Sequence, residues 1–178
     1  MTLFAVTLGG RAPKANTELH DVVFVTGDAI EDTYVQLLDK WFGTPEGLHL
    51  DSWMALDVVD GYRVTLSPTP DIGAAKLFFV NLGAYRDGAF AEDHANVFVV
   101  AESAPAAKAR ARSEMQKTGV HTVHKDYLYD VDDCIALDAA GALHVVLTKT
   151  GEASRLVPHS DYHVIPKTVI ADYVARKR

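Results

Sequence analysis

The chain repeats itself, and that repetition restricts its fold more than any other feature of the sequence. Leu3-Phe4-Ala5-Val6-Thr7-Leu8-Gly9-Gly10 returns 74 positions later as Leu77-Phe78-Phe79-Val80-Asn81-Leu82-Gly83-Ala84. The same offset carries Glu18-Leu19-His20 onto Glu92-Asp93-His94 and Val23-Phe24-Val25 onto Val97-Phe98-Val99. It then grows to 81, carrying Asp51 onto Asp132, Ala55-Leu56-Asp57 onto Ala136-Leu137-Asp138, and Val64 and Leu66 onto Val145 and Leu147. One insertion of seven residues therefore falls between the helix and the third strand of the second copy. Chance seldom keeps register over so many identities, so we read a duplication.

Each copy has the same plan. Leu3 to Leu8 is an apolar run closed by glycine, as in a buried strand. Arg11 to Thr17, with Pro13 and Asn16, reads as a loop, and Val22 to Thr26 as a second strand. Asp28 is placed to cap a helix, with Glu31 in capping-box position. Ile30, Tyr34, Leu37, Leu38 and Trp41 follow at helical spacing until Gly43 and Pro45 end the run. Ser52 to Asp57 and Arg63 to Leu66 flank Asp60-Gly61, a dipeptide suited to a two-residue hairpin. In the second copy Ser103 is the expected cap, Pro105 fits the first helical turn, and the alanine-rich helix has a thinner apolar face. Glu31, Asp32 and Asp39 make the first helix acidic, whereas Lys108, Arg110, Arg112 and Lys117 make the second basic. Two solvated faces explain this, and so does contact between opposite faces in a homo-oligomer.

The expected fold is therefore α+β: two tandem ββαββ repeats related by a pseudo-twofold, with a largely antiparallel sheet and one helix per repeat. The first repeat spans 1–68, the second 69–149, and 150–178 is a C-terminal extension. The linker Ser67 to Gly73 is short enough that the repeats share one core. In the extension, Tyr162 to Ile165 reads as an extra strand, Pro166 as its end, and Val169 to Ala175 as a helix. Among 178 residues there is one cysteine, Cys134, so no intramolecular disulfide can form. No apolar run approaches the ~18 residues of a membrane helix, and the first residues lack the basic flank of a signal peptide. A net charge of −7 opposes non-specific contact with nucleic acid. A cytoplasmic location, with neither nucleic acid nor membrane as partner, is the expectation.

Several short motifs resemble a known family. Leu3 to Gly10, Glu18-Leu19-His20-Asp21, Trp41-Phe42-Gly43, Leu48-His49-Leu50-Asp51-Ser52 and Val59-Asp60-Gly61-Tyr62 are similar to the domain of unknown function family 1543. Tyr129 to Cys134 resembles that family's second half. The resemblance covers roughly residues 3 to 149 and implies a two-copy member of bacterial origin. It brings no assigned activity and no catalytic residue.

Read on its own residues, the best functional constellation is the duplicated Glu-x-His: Glu18 with His20, and Glu92 with His94. In an extended segment residues two apart share a face. A carboxylate beside an imidazole can ligate a divalent metal or orient a general base, and Asp51 and Asp132 could add oxygen ligands. The alternative is structural, with the histidines bonded to backbone carbonyls and the acids capping turns. No cofactor is called for on sequence alone; a divalent metal at His20 and His94 is the one these residues would admit. The function expected is a homo-oligomeric binding or interaction module for a protein or small-molecule ligand; a metal-assisted hydrolase or small-molecule enzyme is the alternative.

Other features are less specific. His121 with His124 and His159 with His163 lack further ligands at diagnostic spacing. Gly9-Gly10 lacks the dinucleotide pattern, and Asp130, Asp132 and Asp133 lack the glycine and glutamate of a calcium loop. Cys134 reads as a small buried hydrophobe. The inserted segment Thr118 to Tyr129, with His121, His124, Lys125, Asp126, Tyr127 and Tyr129, reads either as a contact surface or as a cover for the sheet edge.

Overall fold

The structure is a computed structural model that describes residues 1–85, 87–117 and 130–177. The inserted segment Thr118 to Tyr129, and with it His121 and His124, lies outside the described residues. The strands and helices form an antiparallel α+β arrangement divided into three sheets.

In the first half β1 (Thr2–Gly10) sits between β2 (Leu19–Gly27) and β3 (His49–Ala55), and β11 (His159–Val164) adds to the far side of β3. β1 is apolar on both faces because both are covered. Phe4, Val6 and Leu8 pack under α1 (Tyr34–Lys40) and α3 (Lys167–Lys177), while Leu3 and Ala5 point the other way. In the second half β6 (Lys76–Ala84) takes the central place between β7 (Asp93–Ala101) and β8 (Asp130–Ala136), under α2 (Ala104–Lys117). Phe78, Val80 and Leu82 face α2, where Ala107 and Ala111 are fully buried, so the thin-faced helix packs close. The two halves pair in the same register: Thr2 opposite Gly27 and Lys76 opposite Ala101, Phe4 opposite Ala55 and Phe78 opposite Ala136.

The expected hairpin is corrected in one respect. Asp60-Gly61 does make a two-residue turn, both residues with positive φ, but it joins β4 (Val58–Val59) to β5 (Tyr62–Ser67) rather than β3 to β5. β3 stays in its own sheet, and β5 leaves to pair with β10 (Leu143–Lys149), which also carries β9 (Ala139–Ala140). The hairpins of both halves thus form a third sheet. Leu56, Val59 and Val64 from one half and Leu137, Ala140 and Val145 from the other close a core against Leu3, Ala5, Leu77 and Phe79. Phe24 meets Phe79 and Phe98 edge-on at 5.4 and 6.2 Å, so the two outer sheets face each other across that core.

The first helix also departs from expectation at its start. A 3-10 turn over Ile30–Thr33 precedes α1, its N-cap is Ala29, and Asp32 Oδ2 accepts the Ala29 N–H at 2.9 Å. Asp28 instead pairs with the N-terminal amine at 2.8 Å. Ser103 caps α2 as expected, accepting the Ala106 N–H at Oγ. β11 and α3 answer to the expected extra strand and terminal helix, each beginning a few residues earlier. No helix among the described residues is long and apolar enough to cross a membrane. Cys134 is half-buried against the α2 core, and burial pushes its thiol above the ordinary range.

Candidate functional site

Gly9 explains how the first site is assembled. Along β1, Leu3, Ala5, Thr7 and Gly9 share the face turned toward the second half. Directly across from Gly9 lie His20 on β2 and His49 on β3, so two imidazoles flank a position with no side chain. A Cβ at Gly9 would come 2.5 Å from His49 Nε2 and 2.9 Å from Asp51 Oδ2. Glycine is required here by space, since side-chain atoms occupy the volume over its Cα. β3 carries a bulge at the same place: Thr7 faces Ser52 and Leu8 faces Leu50, leaving Asp51 as the extra residue. Such a bulge re-aims a side chain, and here it turns Asp51 toward the imidazoles.

The result is a ring of four groups. His20 Nε2 lies 3.7 Å from Glu18 Oε1 and 3.3 Å from Asp51 Oδ2. His49 Nε2 lies 3.5 Å from Glu18 Oε1 and 3.3 Å from Asp51 Oδ1. Glu18, His20 and Asp51 are partly exposed, whereas the His49 side chain is 1% exposed. The His49 ring is fixed on both sides. Its Nδ1 contacts the Gly47 carbonyl at 2.9 Å, and Tyr162 of β11 packs on it with ring centroids 4.2 Å apart. A carbonyl only accepts, so Nδ1 carries the proton. His49 Nε2 is then buried, aimed at two carboxylates, and without a hydrogen-bond partner.

The second half repeats the arrangement with one change. Gly83 lies across from His94 and from Asp130, and its missing Cβ leaves room for the Asp132 and Glu92 carboxylates. The bulge recurs, with Asn81 facing Asp133 and Leu82 facing Val131. His94 Nδ1 is 3.4 Å from Asp132 Oδ2, and His94 Nε2 is 3.8 Å from Glu92 Oε2. One ligand atom from each of Glu92, His94 and Asp132 lies within 4.8 Å of the others. The neighbouring Tyr85 hydroxyl is pushed above its ordinary pKa, chiefly by the Glu92 charge.

One imidazole of each cluster, His20 and His94, reaches a common space. Thr7, His20 and Val22 from the first half, and Phe79, Asn81, His94 and Asn96 from the second, line a cleft of about 390 Å³ between the outer sheets. Asn81 Nδ2 donates to Asn96 Oδ1 at 2.8 Å between neighbouring strands in its lining.

The sequence-derived candidates thus fall into two groups: Glu18, His20 and Asp51 together, and Glu92, His94 and Asp132 together. His49 joins the first group and was not among them. At offset 81 it stands opposite Asp130, so a search for identities passes over it, although the His49-x-Asp51 spacing was there to be read. His159 and His163 serve packing instead. His159 stacks on Trp53, His163 meets the same indole edge-on, and His163 Nε2 meets the Tyr34 hydroxyl at 2.6 Å.

A chain of this kind is an α+β protein of two similarly paired halves, each carrying a carboxylate–imidazole cluster where a glycine leaves room for it. It belongs to the family described as Domain of Unknown Function (DUF1543), whose model matches residues 15–66. The crystal structure of a protein Il1583 from Idiomarina loihiensis is similar along nearly its whole length. It shares 38% identity, covers 93% of this chain and 99% of its own, and superposes with a TM-score of 0.75. No curated protein matches the chain.

Proposed function

We propose that this is a binding protein whose ligand, a small polar molecule, sits in the cleft between the two outer sheets. The observation that carries this reading is that His20 and His94, one from each cluster, line the same cleft. A concave site with apolar walls and a few convergent polar groups is the usual form of a small-ligand site. Here Val22, Phe79 and Ile135 supply the walls, and Asn81, Asn96, the Asp21 and Asp133 carboxylates and the two imidazoles supply the polar groups. A duplicated scaffold that brings one imidazole of each cluster to the cleft also gives the repetition a use that two separate turn-capping histidines would lack.

A metal-assisted reaction is the second reading, favoured by the convergence of Glu18, His20, His49 and Asp51. Assembly through the acidic α1 and basic α2 faces has less support, because Asp39 is engaged by Lys177 and Arg110 by Asp60 within the same chain. A thermal-shift screen of small polar compounds tests the binding proposal. At least one compound is expected to raise Tm in the wild type, and Asn81→Leu with Asn96→Leu should abolish the shift. A shift that survives the double substitution contradicts a ligand seated in this cleft.

A further inference from the structure

We propose that Glu18, His20, His49 and Asp51 bind one divalent transition-metal ion, of the zinc, cobalt or iron type. This inference does not require the cleft to hold a small molecule, and it stands on His49. Its Nδ1 proton is committed to Gly47, and its Nε2 is buried and unpartnered between two carboxylates. A bare lone pair facing two anions is unfavourable, so something positive belongs between them. The backbone carbonyl on the far nitrogen is the arrangement that fixes a metal-bound imidazole in its tautomer and orientation.

Distance separates a metal ion from a proton. Charge-assisted N–H···O bonds are about 2.7–2.9 Å long, and the four imidazole–carboxylate separations of 3.3 to 3.7 Å all exceed that. Ligand atoms held by ~2.0–2.1 Å bonds at tetrahedral angles stand roughly 3.4 Å apart, and the four imidazole–carboxylate contacts lie near that value, Asp51 reaching His20 and His49 with different oxygens. Among the described residues only Glu92, His94 and Asp132 bring one ligand atom each within 4.8 Å of one another, so an ion in the first ring draws the exposed Glu18 and His20 inward. Two imidazoles favour a borderline metal over calcium or magnesium, which take oxygen ligands. Two carboxylates balance the charge of a divalent ion. Gly9 keeps the approach clear, since any Cβ there would enter the ring.

The test uses the full chain, stripped with a chelator, in a His94→Ala background that disables the second cluster. Cobalt(II) should bind one ion per chain with a visible d–d band, and zinc should shift the His49 Nε2 nitrogen resonance. Asp51→Asn and, separately, His20→Ala should each weaken binding by at least ~100-fold, the upper end of what outer-shell partners alone cost. His20 is more than half exposed, so its loss leaves the fold intact, which a retained circular-dichroism spectrum and melting curve would verify. Absence of binding at about 1 mM metal, affinity indifferent to both substitutions, or an Nε2 that carries a proton and ignores zinc would overturn the proposal.

Discussion

At the scale of single residues, Gly9 and His49 hold the account together. Replacing Gly9 with alanine places a methyl group 2.5 Å from His49 Nε2, and neither the imidazole, held by Gly47 and Tyr162, nor the bulged Asp51 can retreat easily. The expected loss in urea denaturation is about 1–3 kcal/mol, typical of overpacking; a neutral Gly9→Ala would show that the ring of ligands is loose. His49→Leu makes the complementary prediction in the His94→Ala background. Without metal it should change stability little, since removing the unmet Nε2 offsets the lost Nδ1 bond to the Gly47 carbonyl. With zinc at a hundred times the dissociation constant, the parent should gain about 2.7 kcal/mol of stability and the leucine variant nothing. Glu18, His20 and Asp51 were legible in the sequence because they recur. His49 was not, because its counterpart, Asp130, is a different residue type.

Among elements, the strands of each outer sheet were legible and their partners only in part. Apolar runs closed by glycine mark β1 and β6, and Asp60-Gly61 marks a hairpin. Where β5 goes after the turn depends on β10, about 80 residues later, and a turn sets only the pairing beside it. The helix start was misplaced for a local reason. Asp28, a good cap by type, is drawn to the N-terminal amine, and Asp32 serves Ala29 instead. The crossing between halves rests partly on Asp71, which accepts the Leu147 N–H at 3.0 Å and the Gly73 N–H at 2.9 Å. Those backbone bonds hold its carboxyl below the usual range. A depressed folded pKa means its stabilisation is complete above the unfolded value and fades as pH falls toward the folded one. Asp71→Ala should therefore cost about 1 kcal/mol at neutral pH, with a gap that narrows below about pH 4. A gap unchanged from pH 7 to pH 3 would contradict this.

For the whole molecule, the third sheet makes each half incomplete. Residues 1–68 alone would expose Leu3, Ala5, Leu56, Val59 and Val64, which the second half covers, and would leave β5 without β10 along an open edge. That fragment should fail to unfold cooperatively as a monomer, or should pair with itself through β5. A monomer with a sharp thermal transition by calorimetry would show that the halves are independent. The two similarly registered halves also bring one imidazole of each cluster, His20 and His94, to a single cleft, which no reading of one copy would have disclosed. The most direct measurement is an anomalous difference map from crystals of the zinc-loaded protein. A peak should lie about 2.0–2.1 Å from His49 Nε2, within reach of His20, Glu18 and Asp51. A map without that peak, with His49 Nε2 drawn into a hydrogen bond of ordinary length with Glu18 or Asp51, would contradict the account.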